Sequence, residues 1–261
     1  DVYKRQNLGI ASYEWIEGER VSNYGAKELK AALSFLRTLN QYSISEQFKN
    51  FPMASDACLT GIDIEIQIKR RLLQFDELSK KHSELENFLK NVFTPLFGEI
   101  VSWSQVRWPT DSSYMSPMKN SELILSPSDF GFHNSLCSEN GNLIFHDFEY
   151  FGWDDPVKLI SDFSHHASMN LTNELEQLWF LGVSEIYGKH LLGRLAAAWP
   201  LYGLNWCLIM LNEFKDEVWN RRCSADDSKL GLRDDTLATQ LITSKNKLSD
   251  IAESYKDKQF W

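Results

Sequence analysis

The chain has 261 residues, of which 43% are hydrophobic and 24% are charged, an ordinary composition for a globular protein. Its formal net charge of −9 at pH 7 argues against nucleic-acid binding, which needs a basic face. No apolar run approaches the roughly 20 residues of a membrane-spanning helix, and no signal peptide opens the chain. The four cysteines are far apart and form no C-x-x-C pair, which predicts reduced thiols. We therefore predict a cytoplasmic protein with neither a nucleic-acid nor a membrane partner.

The first part of the chain reads as a strand followed by helices. Residues 10–16 are β-prone, and residues 27–39 place four leucines on one face of a helix. Residues 62–68 alternate with period two, which favours a strand. Their isoleucines also belong to a helical stripe that continues to Leu73, and we predict a helix. Residues 82–93 are predicted to form a further amphipathic helix.

The second part predicts a short apolar strand at 122–125, a central hairpin and a series of helices. The helices are predicted at 156–168, 172–188, 190–215 and 234–256. The fold class is thus predicted to be α+β and mainly helical, with one short β-hairpin.

The hairpin is predicted from Asn140-Gly141, the strongest short signal for a two-residue type I′ turn. Counting outward from this turn pairs Asn134 with Asp147 on the same side of the sheet, with Cβ atoms roughly 4.5–5.5 Å apart. Amide and carboxylate oxygens suit Mg²⁺, which leaves its other positions to water and phosphate oxygens. The register therefore predicts that Asn134 and Asp147 form a magnesium pair.

Asp129 lies five residues before Asn134, in the loop after the predicted strand. A carboxylate beside a metal–phosphate site can accept or orient the proton of an attacking alcohol during phosphoryl transfer. The catalytic loop of protein kinases has the same Asp-to-Asn spacing and a later metal-binding Asp. The pattern alone is common in turns, so the prediction depends on its agreement with the strand, the hairpin and Asp147.

The string PSDFGFHN, followed by IFHDFEYFGWDDPVKLISDF, resembles the catalytic segment of the aminoglycoside phosphotransferase and choline kinase family. That family has a protein-kinase-like fold, so the resemblance implies an ATP- and Mg²⁺-dependent phosphotransferase that acts on a hydroxyl of a small molecule. It implies that Asp129 is the catalytic base and that Asn134 and Asp147 hold Mg²⁺. The acceptor implied is aminoglycoside-like, choline-like or sugar-like, and these alternatives stay open.

The string YEWIEGE resembles the hinge between the two lobes of that family, where backbone groups meet the adenine. The residues that this resemblance assigns to ATP binding are Tyr13, Glu14, Trp15 and Ile16. It implies that residues 1–18 are the residual end of the small lobe with the hinge, and that residues 19–261 are the helical large lobe. The family's phosphate-covering loop and its lysine would precede residue 10, so we expect an incomplete fragment with weak or no ATP turnover.

Three further carboxylates are assigned supporting roles. Asp162 resembles the family's D-L-A aspartate, a buried support for the catalytic loop. Glu149 either reaches the metal through water or makes a surface contact. Asp155 either belongs to an acidic patch that faces the substrate or caps the next helix ahead of Pro156, and we predict the cap.

The histidines are interpreted as structural or surface residues. We expect His133 and His146 to be turned away from the predicted metal pair. His165 and His166 are adjacent on a predicted helix, where neighbours diverge by about 100°. No spare His/Asp cluster at metal-ligand spacing is visible in the sequence.

Two residues depart from the family's H-G-D motif, because Pro127 and Ser128 occupy the positions of the histidine and the glycine. This departure supports an alternative, a catalytically inactive kinase-like binding or scaffold module. The presence of all three residues Asp129, Asn134 and Asp147 argues against this inactive alternative. A metal-dependent hydrolase would require additional metal ligands.

Aromatic and acidic candidates for a substrate pocket are Tyr150, Trp153, Trp206 and Glu213.

Overall fold

The computed structural model describes residues 3–5, 10–12, 14–110, 113–226, 228 and 231–260. Within these residues, ten α-helices and seven short strands form, so the prediction of a mainly helical chain is confirmed. The helices are α1 (Ala26–Tyr42), α2 (Gly61–Leu73), α3 (Asp76–Ser79), α4 (Ser83–Phe88), α5 (Thr94–Arg107), α6 (Pro156–His165), α7 (Asn173–Tyr187), α8 (Leu192–Ile209), α9 (Asp216–Ala225) and α10 (Arg233–Ser254). None of the helices in the described ranges is both long and apolar enough to cross a membrane.

Helix α8 is the centre of the helical core. It packs against α2, α5, α6 and α10, and most of its residues are buried, including Trp199, Tyr202 and Cys207. A helix that is apolar on nearly all sides is stable only when other elements surround it. The predicted helix 190–215 ends earlier, at Ile209, and α9 is an additional helix that the periodicity did not predict.

The ambiguous segment at 62–68 is helical, as predicted. Thr60 caps α2, because its hydroxyl accepts a hydrogen bond from the backbone N–H of Asp63 at 2.9 Å. The carboxylate of Asp63 in turn accepts the backbone N–H of Thr60 at 2.9 Å. This reciprocal capping box and the burial of Ile64 and Ile68 stabilise a helix in this segment rather than a strand.

The strands form three small antiparallel sheets. The strands are β1 (Tyr3–Arg5), β2 (Ile10–Ser12), β3 (Glu19–Arg20), β4 (Ile124–Ser126), β5 (Ser135–Cys137), β6 (Leu143–Phe145) and β7 (Gly152–Asp154). Strand β1 pairs with β2, β4 pairs with β7, and β5 lies between β3 and β6.

The hairpin exists, but the predicted two-residue turn is wrong. Strands β5 and β6 pair Cys137 with Leu143, which leaves a three-residue loop between Ser138 and Asn142. The backbone N–H of Ser138 donates to the carbonyl of Asn142 at 2.9 Å, and Gly141 adopts a left-handed conformation with φ +74°. A three-residue loop that ends in a left-handed glycine is the next most common hairpin after the two-residue types.

The corrected register changes the partner of Asn134. The backbone N–H of His146 donates to the carbonyl of Asn134 at 3.1 Å, so His146 rather than Asp147 lies opposite Asn134. Asp147 is therefore one residue beyond the predicted pairing position, just past the foot of the hairpin.

Candidate functional site

The loop between β4 and β5 carries Asp129. Antiparallel pairing of Ser126 with Gly152 fixes the start of this loop. Ser128 has φ +67°, a left-handed conformation that favours glycine, and its backbone N–H donates to the Ser126 hydroxyl at 3.1 Å. Ser128 thus adopts a conformation that glycine reaches at no steric cost, and the Ser126 hydroxyl supports the turn that presents Asp129.

Asn134 is held against Asp129 by its side-chain amide. The Nδ2 atom donates to the backbone carbonyl of Asp129 at 2.9 Å and to its carboxylate Oδ2 at 3.3 Å. Both bonds use the amide nitrogen, so the amide oxygen points away from Asp129. An oriented amide oxygen is the kind of hard donor that Mg²⁺ accepts.

Asp147 follows β6 directly and has a left-handed backbone, with φ +65°. Such a conformation is uncommon for a residue other than glycine, although aspartate tolerates it better than most, and it is enriched at functional sites. Asp147 directly follows His146 in the chain, and the backbone N–H of His146 donates to the carbonyl of Asn134. A carboxylate and an amide oxygen are donors of the kind that Mg²⁺ accepts, and their joint binding of the ion stays a prediction.

The pKa of the Tyr150 hydroxyl is affected by three carboxylates. This pKa is raised by a hydrogen bond with Glu149, then by burial, and then by the charges of Glu149, Asp129 and Asp147. The charges of Asp129 and Asp147 therefore both act on this hydroxyl, whose hydrogen-bond partner is Glu149. Glu149 contacts the Tyr150 side chain, and the two roles considered for Glu149 remain predictions.

His133 and His166, interpreted from the sequence as structural or surface residues, both lie beside the predicted catalytic base Asp129. The His133 Nε2 atom lies 3.1 Å from Asp129 Oδ1, and the His166 Nε2 atom lies 3.7 Å from the same oxygen. The two imidazole rings stack, with centroids 3.7 Å apart and planes 5° apart. His165 does diverge from its neighbour as predicted, since it is buried and its Nε2 contacts the Trp199 carbonyl at 3.1 Å.

The proton positions on these rings follow from their partners. The backbone N–H of Ser168 donates to His166 Nδ1 at 3.0 Å, so the proton of the neutral ring is on Nε2, facing Asp129. Burial lowers the pKa of His166 to about 4, with a contribution from His133, so the ring is neutral at pH 7. The two histidines thus direct N–H groups at one oxygen of Asp129.

Asp129, His133 and His166 offer ligand atoms within 4.8 Å of one another, a group that the sequence did not reveal. The lone pair of an imidazole nitrogen lies in the ring plane, and the two planes are almost parallel. A metal ion about 2.0–2.1 Å from both nitrogens would therefore lie out of both planes. The arrangement suits hydrogen bonding to the carboxylate better than metal coordination.

Asp129 is ionised in this setting. Burial acts to raise its pKa, but it is outweighed by the hydrogen bond and charge of His133, by the charge that His166 carries below about pH 4, and by the bond from Asn134. The pKa consequently lies below the ordinary carboxyl value, and Asp129 carries its charge throughout the neutral range.

Asp162 belongs to a charged cluster behind the loop. Its Oδ2 accepts from the buried Lys158 at 2.9 Å, and its Oδ1 accepts from the indole N–H of Trp206 at 2.8 Å. Lys158 also lies 3.7 Å from the fully buried Asp154. Asp162 therefore fixes Lys158 and Trp206 in place.

Asp155 is the N-cap of α6, as predicted. Its Oδ1 accepts from the backbone N–H of Val157 at 2.8 Å, and Pro156 occupies the first helical position. Its Oδ2 accepts from Arg194 Nε at 2.7 Å, a buried ion pair that the sequence did not indicate. The acidic-patch alternative is thereby excluded for Asp155.

A pocket of about 560 Å³ opens beside Asp129, and we call it the acceptor pocket. Its lining residues are Ser55, Asp56, Gln67, Arg71, Ser128, Asp129, Phe130, Tyr150, Lys158, Asp162, His166, Asn205, Trp206, Ile209, Asn212 and Arg222. Of the four predicted pocket residues, Tyr150 and Trp206 line it. Trp153 lies outside, in β7, and Glu213 is buried beneath Arg222, which it pairs with at 2.7 Å.

The predicted adenine-binding segment lies beside β3. Tyr13 falls outside the described residues. Glu14, Trp15 and Ile16 are exposed and precede β3 without regular structure, and Trp15 is 81% exposed. Their assignment to ATP binding stays a prediction.

No known protein-family profile matches the chain, and no curated protein matches it. Solved structures do match the chain. A Plasmodium vivax ethanolamine kinase superimposes with a TM-score of 0.51 at 13% identity, over 91% of this chain and 65% of that one. A choline/ethanolamine kinase family protein from Mesorhizobium loti gives a TM-score of 0.52 at 14% identity, over 98% of this chain and 76% of that one.

At these identities the similarity concerns the fold alone, and the chain spans less than two thirds of the Plasmodium vivax protein. The implied similarity to choline kinases is confirmed at this level, whereas nothing here confirms the aminoglycoside phosphotransferases. The chain therefore has the protein-kinase-like fold of choline and ethanolamine kinases.

Proposed function

We propose that this chain is the large lobe of a Mg²⁺- and ATP-dependent phosphotransferase that acts on a hydroxyl group of a small molecule. One observation carries the proposal. Asn134 holds Asp129 at the mouth of the acceptor pocket through two hydrogen bonds, in a chain with the fold of small-molecule kinases. Residues 19–261 would form this lobe, and residues 1–18 the end of the small lobe with the hinge, in a cytoplasmic protein.

Asp129 would receive the proton of the acceptor hydroxyl. Its Oδ1 is engaged by His133, whereas its Oδ2 accepts only the longer bond from Asn134, so Oδ2 is the freer oxygen. In the transfer, the bond from the γ-phosphorus to the ADP oxygen breaks, and a bond to the hydroxyl oxygen forms. Because phosphoryl transfer depends mainly on positioning and charge stabilisation, Asp129 acts chiefly by orienting the hydroxyl.

Asn134 and Asp147 would hold Mg²⁺, which when bound neutralises charge on the nucleotide phosphates. Glu149 would support this ion through a water molecule. Asp162 and Asp155 would act behind these residues, Asp162 by fixing Lys158 and Asp155 by capping α6. Tyr13, Glu14, Trp15 and Ile16 would meet the adenine.

The non-catalytic scaffold alternative is not favoured, because Asp129, Asn134 and Asp147 are all present and the Asn134 amide donates to Asp129. The hydrolase alternative needs a metal site separate from this set. The histidine pair at Asp129 does not provide one, because both imidazoles direct protons at the carboxylate.

Transfer of the γ-phosphoryl group of ATP to a panel of hydroxylated small molecules tests the proposal. Asp129→Asn should lower turnover by about 10²–10⁴-fold and leave binding of Mg²⁺–ADP unchanged. Asp257→Asn, at an exposed aspartate near the end of the chain, is the matched control and should have no effect. Because this chain is expected to turn over ATP weakly, the comparison requires measurable wild-type turnover, and equal measurable turnover by Asp129→Asn would remove Asp129 from the chemistry.

A further inference from the structure

The acceptor pocket is lined by Arg71, whose nearest carboxylate, that of Asp56, is shared with a second arginine. Arg71 lies near the end of α2, and its side chain is 20% exposed on the pocket wall. Sequence pattern does not distinguish Arg71, because it is one of two basic residues in the last turn of an amphipathic helix. The fold turns Arg71 towards the pocket that Asp129 lines.

The Arg71 guanidinium is fixed in place by a buried amide chain. Its Nε atom donates to Asn205 Oδ1 at 2.8 Å, and Asn205 Nδ2 donates to Gln67 Oε1 at 2.9 Å. Gln67 Nε2 in turn donates to the backbone carbonyl of Asp56 at 3.3 Å. Asn205 and Gln67 are 4% and 5% exposed, so the orientation of Arg71 is set before any ligand enters.

The other cations of the pocket have close carboxylate partners. Lys158 lies 2.9 Å from Asp162, and Arg222 lies 2.7 Å from Glu213. These pairs leave little charge for a ligand to meet.

Asp56 is shared between two arginines. Its Oδ1 accepts from Arg70 at 2.8 Å, whereas the distance from its Oδ2 to Arg71 is 3.6 Å. Arg70 is therefore the closer partner, and Arg71 is the surplus cation. Only its Nε makes a hydrogen bond among the described residues, so its terminal N–H groups are available to a ligand.

We propose that the acceptor is a hydroxylated carboxylic acid, whose carboxylate binds Arg71 while its hydroxyl lies at Asp129. This inference rests on the proposed function and narrows its acceptor class. A guanidinium matches a carboxylate in both charge and geometry, since its planar donors can form two parallel hydrogen bonds. Tyr150 and Trp206 provide aromatic walls for the carbon skeleton.

A cationic acceptor fits this pocket poorly. An ammonium group would meet the surplus charge of Arg71, and the carboxylates other than Asp129 already have cationic partners. The net charge of −9 describes the whole chain and does not set the local charge of the pocket.

Binding of matched acids and polyols, measured by isothermal titration calorimetry, tests the inference. The pairs are glycerate with glycerol and gluconate with glucitol, and choline serves as the cationic probe. We expect at least one acid to bind the wild-type chain about tenfold or more tightly than its polyol, as a charge-assisted hydrogen bond implies. Binding of neither acid, or equal binding of acid and polyol, would overturn the inference, as would tighter binding of choline.

Variants of two basic residues on the same helix locate the effect. Arg71→Met should abolish the preference for the acid, whereas Lys69→Met, at an exposed position outside the acceptor pocket, should retain it. A preference that survives in a folded Arg71→Met variant would overturn the assignment of Arg71. The wild-type comparison remains decisive if Arg71→Met does not fold.

Binding of Mg²⁺–ADP to the same samples separates this inference from the proposed function. Nucleotide binding without any preference for acids would refute only the acceptor class. A preference for acids without Mg²⁺-dependent nucleotide binding would refute the kinase proposal and leave an acid-binding pocket.

Discussion

The side-chain amide of Asn134 donates to both the backbone carbonyl and the carboxylate of Asp129, at 2.9 Å and 3.3 Å. One residue therefore positions the proposed base with its nitrogen and presents its oxygen to the proposed metal site. Asn134→Asp retains an oxygen at the metal side but replaces both donated hydrogen bonds with repulsion. Asn134→Ala removes both functions.

We predict that Asn134→Asp lowers turnover by about 10²–10⁴-fold yet keeps measurable Mg²⁺-dependent nucleotide binding. Asn134→Ala should lose both. Steady-state kinetics and calorimetric titration of Mg²⁺–ADP distinguish the two variants. Wild-type turnover in Asn134→Asp would show that the contact with Asp129 is unimportant for the reaction.

The left-handed backbone of Ser128 leads to a prediction about stability. Ser128→Gly should change the free energy of unfolding by no more than about 1 kcal/mol, because glycine adopts this conformation freely. Ser128→Val should destabilise by about 1–2 kcal/mol or more, since a branched side chain is strained there. Urea unfolding of the two variants measures the difference, and equal stabilities would contradict the assigned backbone conformation.

Removing one partner of the buried ion pair between Asp155 and Arg194 should lower the free energy of unfolding by more than the Ser128 substitutions do. Arg194→Met leaves a buried carboxylate without its cation and should cost about 3–5 kcal/mol of unfolding free energy. Adding Asp155→Asn should restore part of this loss, because asparagine also caps a helix and carries no charge. Arg221→Met removes an exposed contact with Glu217 and should cost less than about 1 kcal/mol.

Denaturant unfolding of these three variants provides the comparison. If the double variant is less stable than Arg194→Met alone, the loss does not come from an unpaired buried charge.

The raised pKa of Asp154 predicts that the free energy of unfolding depends on pH. Burial raises its pKa from the ordinary 3.8 to about 7, despite the opposing charge of Lys158 and the bond from the Asp155 backbone. Between these values the folded chain holds a proton that the unfolded chain has released, so this residue makes stability fall as pH rises through that window. The slope from one such group reaches at most about 1.4 kcal/mol per pH unit.

Asp154→Asn should remove this contribution, because the amide stays neutral at every pH. The free energy of unfolding of wild type and Asp154→Asn, measured across the window, gives the difference in slope. Asp257→Asn is the exposed control. Identical slopes for the wild-type chain and Asp154→Asn would mean that Asp154 does not titrate in this range.

Local sequence signals predicted the parts of the site that depend on local structure. The cap at Asp155 and the helix at residues 62–68 follow from short-range hydrogen bonding and periodicity, and both are confirmed. The hairpin register failed because Asn-Gly also fits a three-residue loop in which only the glycine is left-handed. A shift by one residue then moved Asp147 off the position opposite Asn134.

Contacts between distant segments had no local signal. His166 reaches Asp129 from the end of α6, and Arg194 reaches Asp155 from α8. Arg71 contacts Asn205 across 134 positions of sequence. The packing of helices around α8 creates these contacts, so periodicity within one helix could not predict the charge of the acceptor pocket.

The central claim is that Asp147 holds the metal while Asp129 serves the acceptor hydroxyl. Calorimetric titration of ADP with and without Mg²⁺ tests it most directly, using the wild-type chain, Asp147→Ala and Asp129→Ala. The account predicts Mg²⁺-dependent binding by the wild-type chain and Asp129→Ala, and its loss in Asp147→Ala. Mg²⁺-dependent binding of equal strength in Asp147→Ala would contradict it.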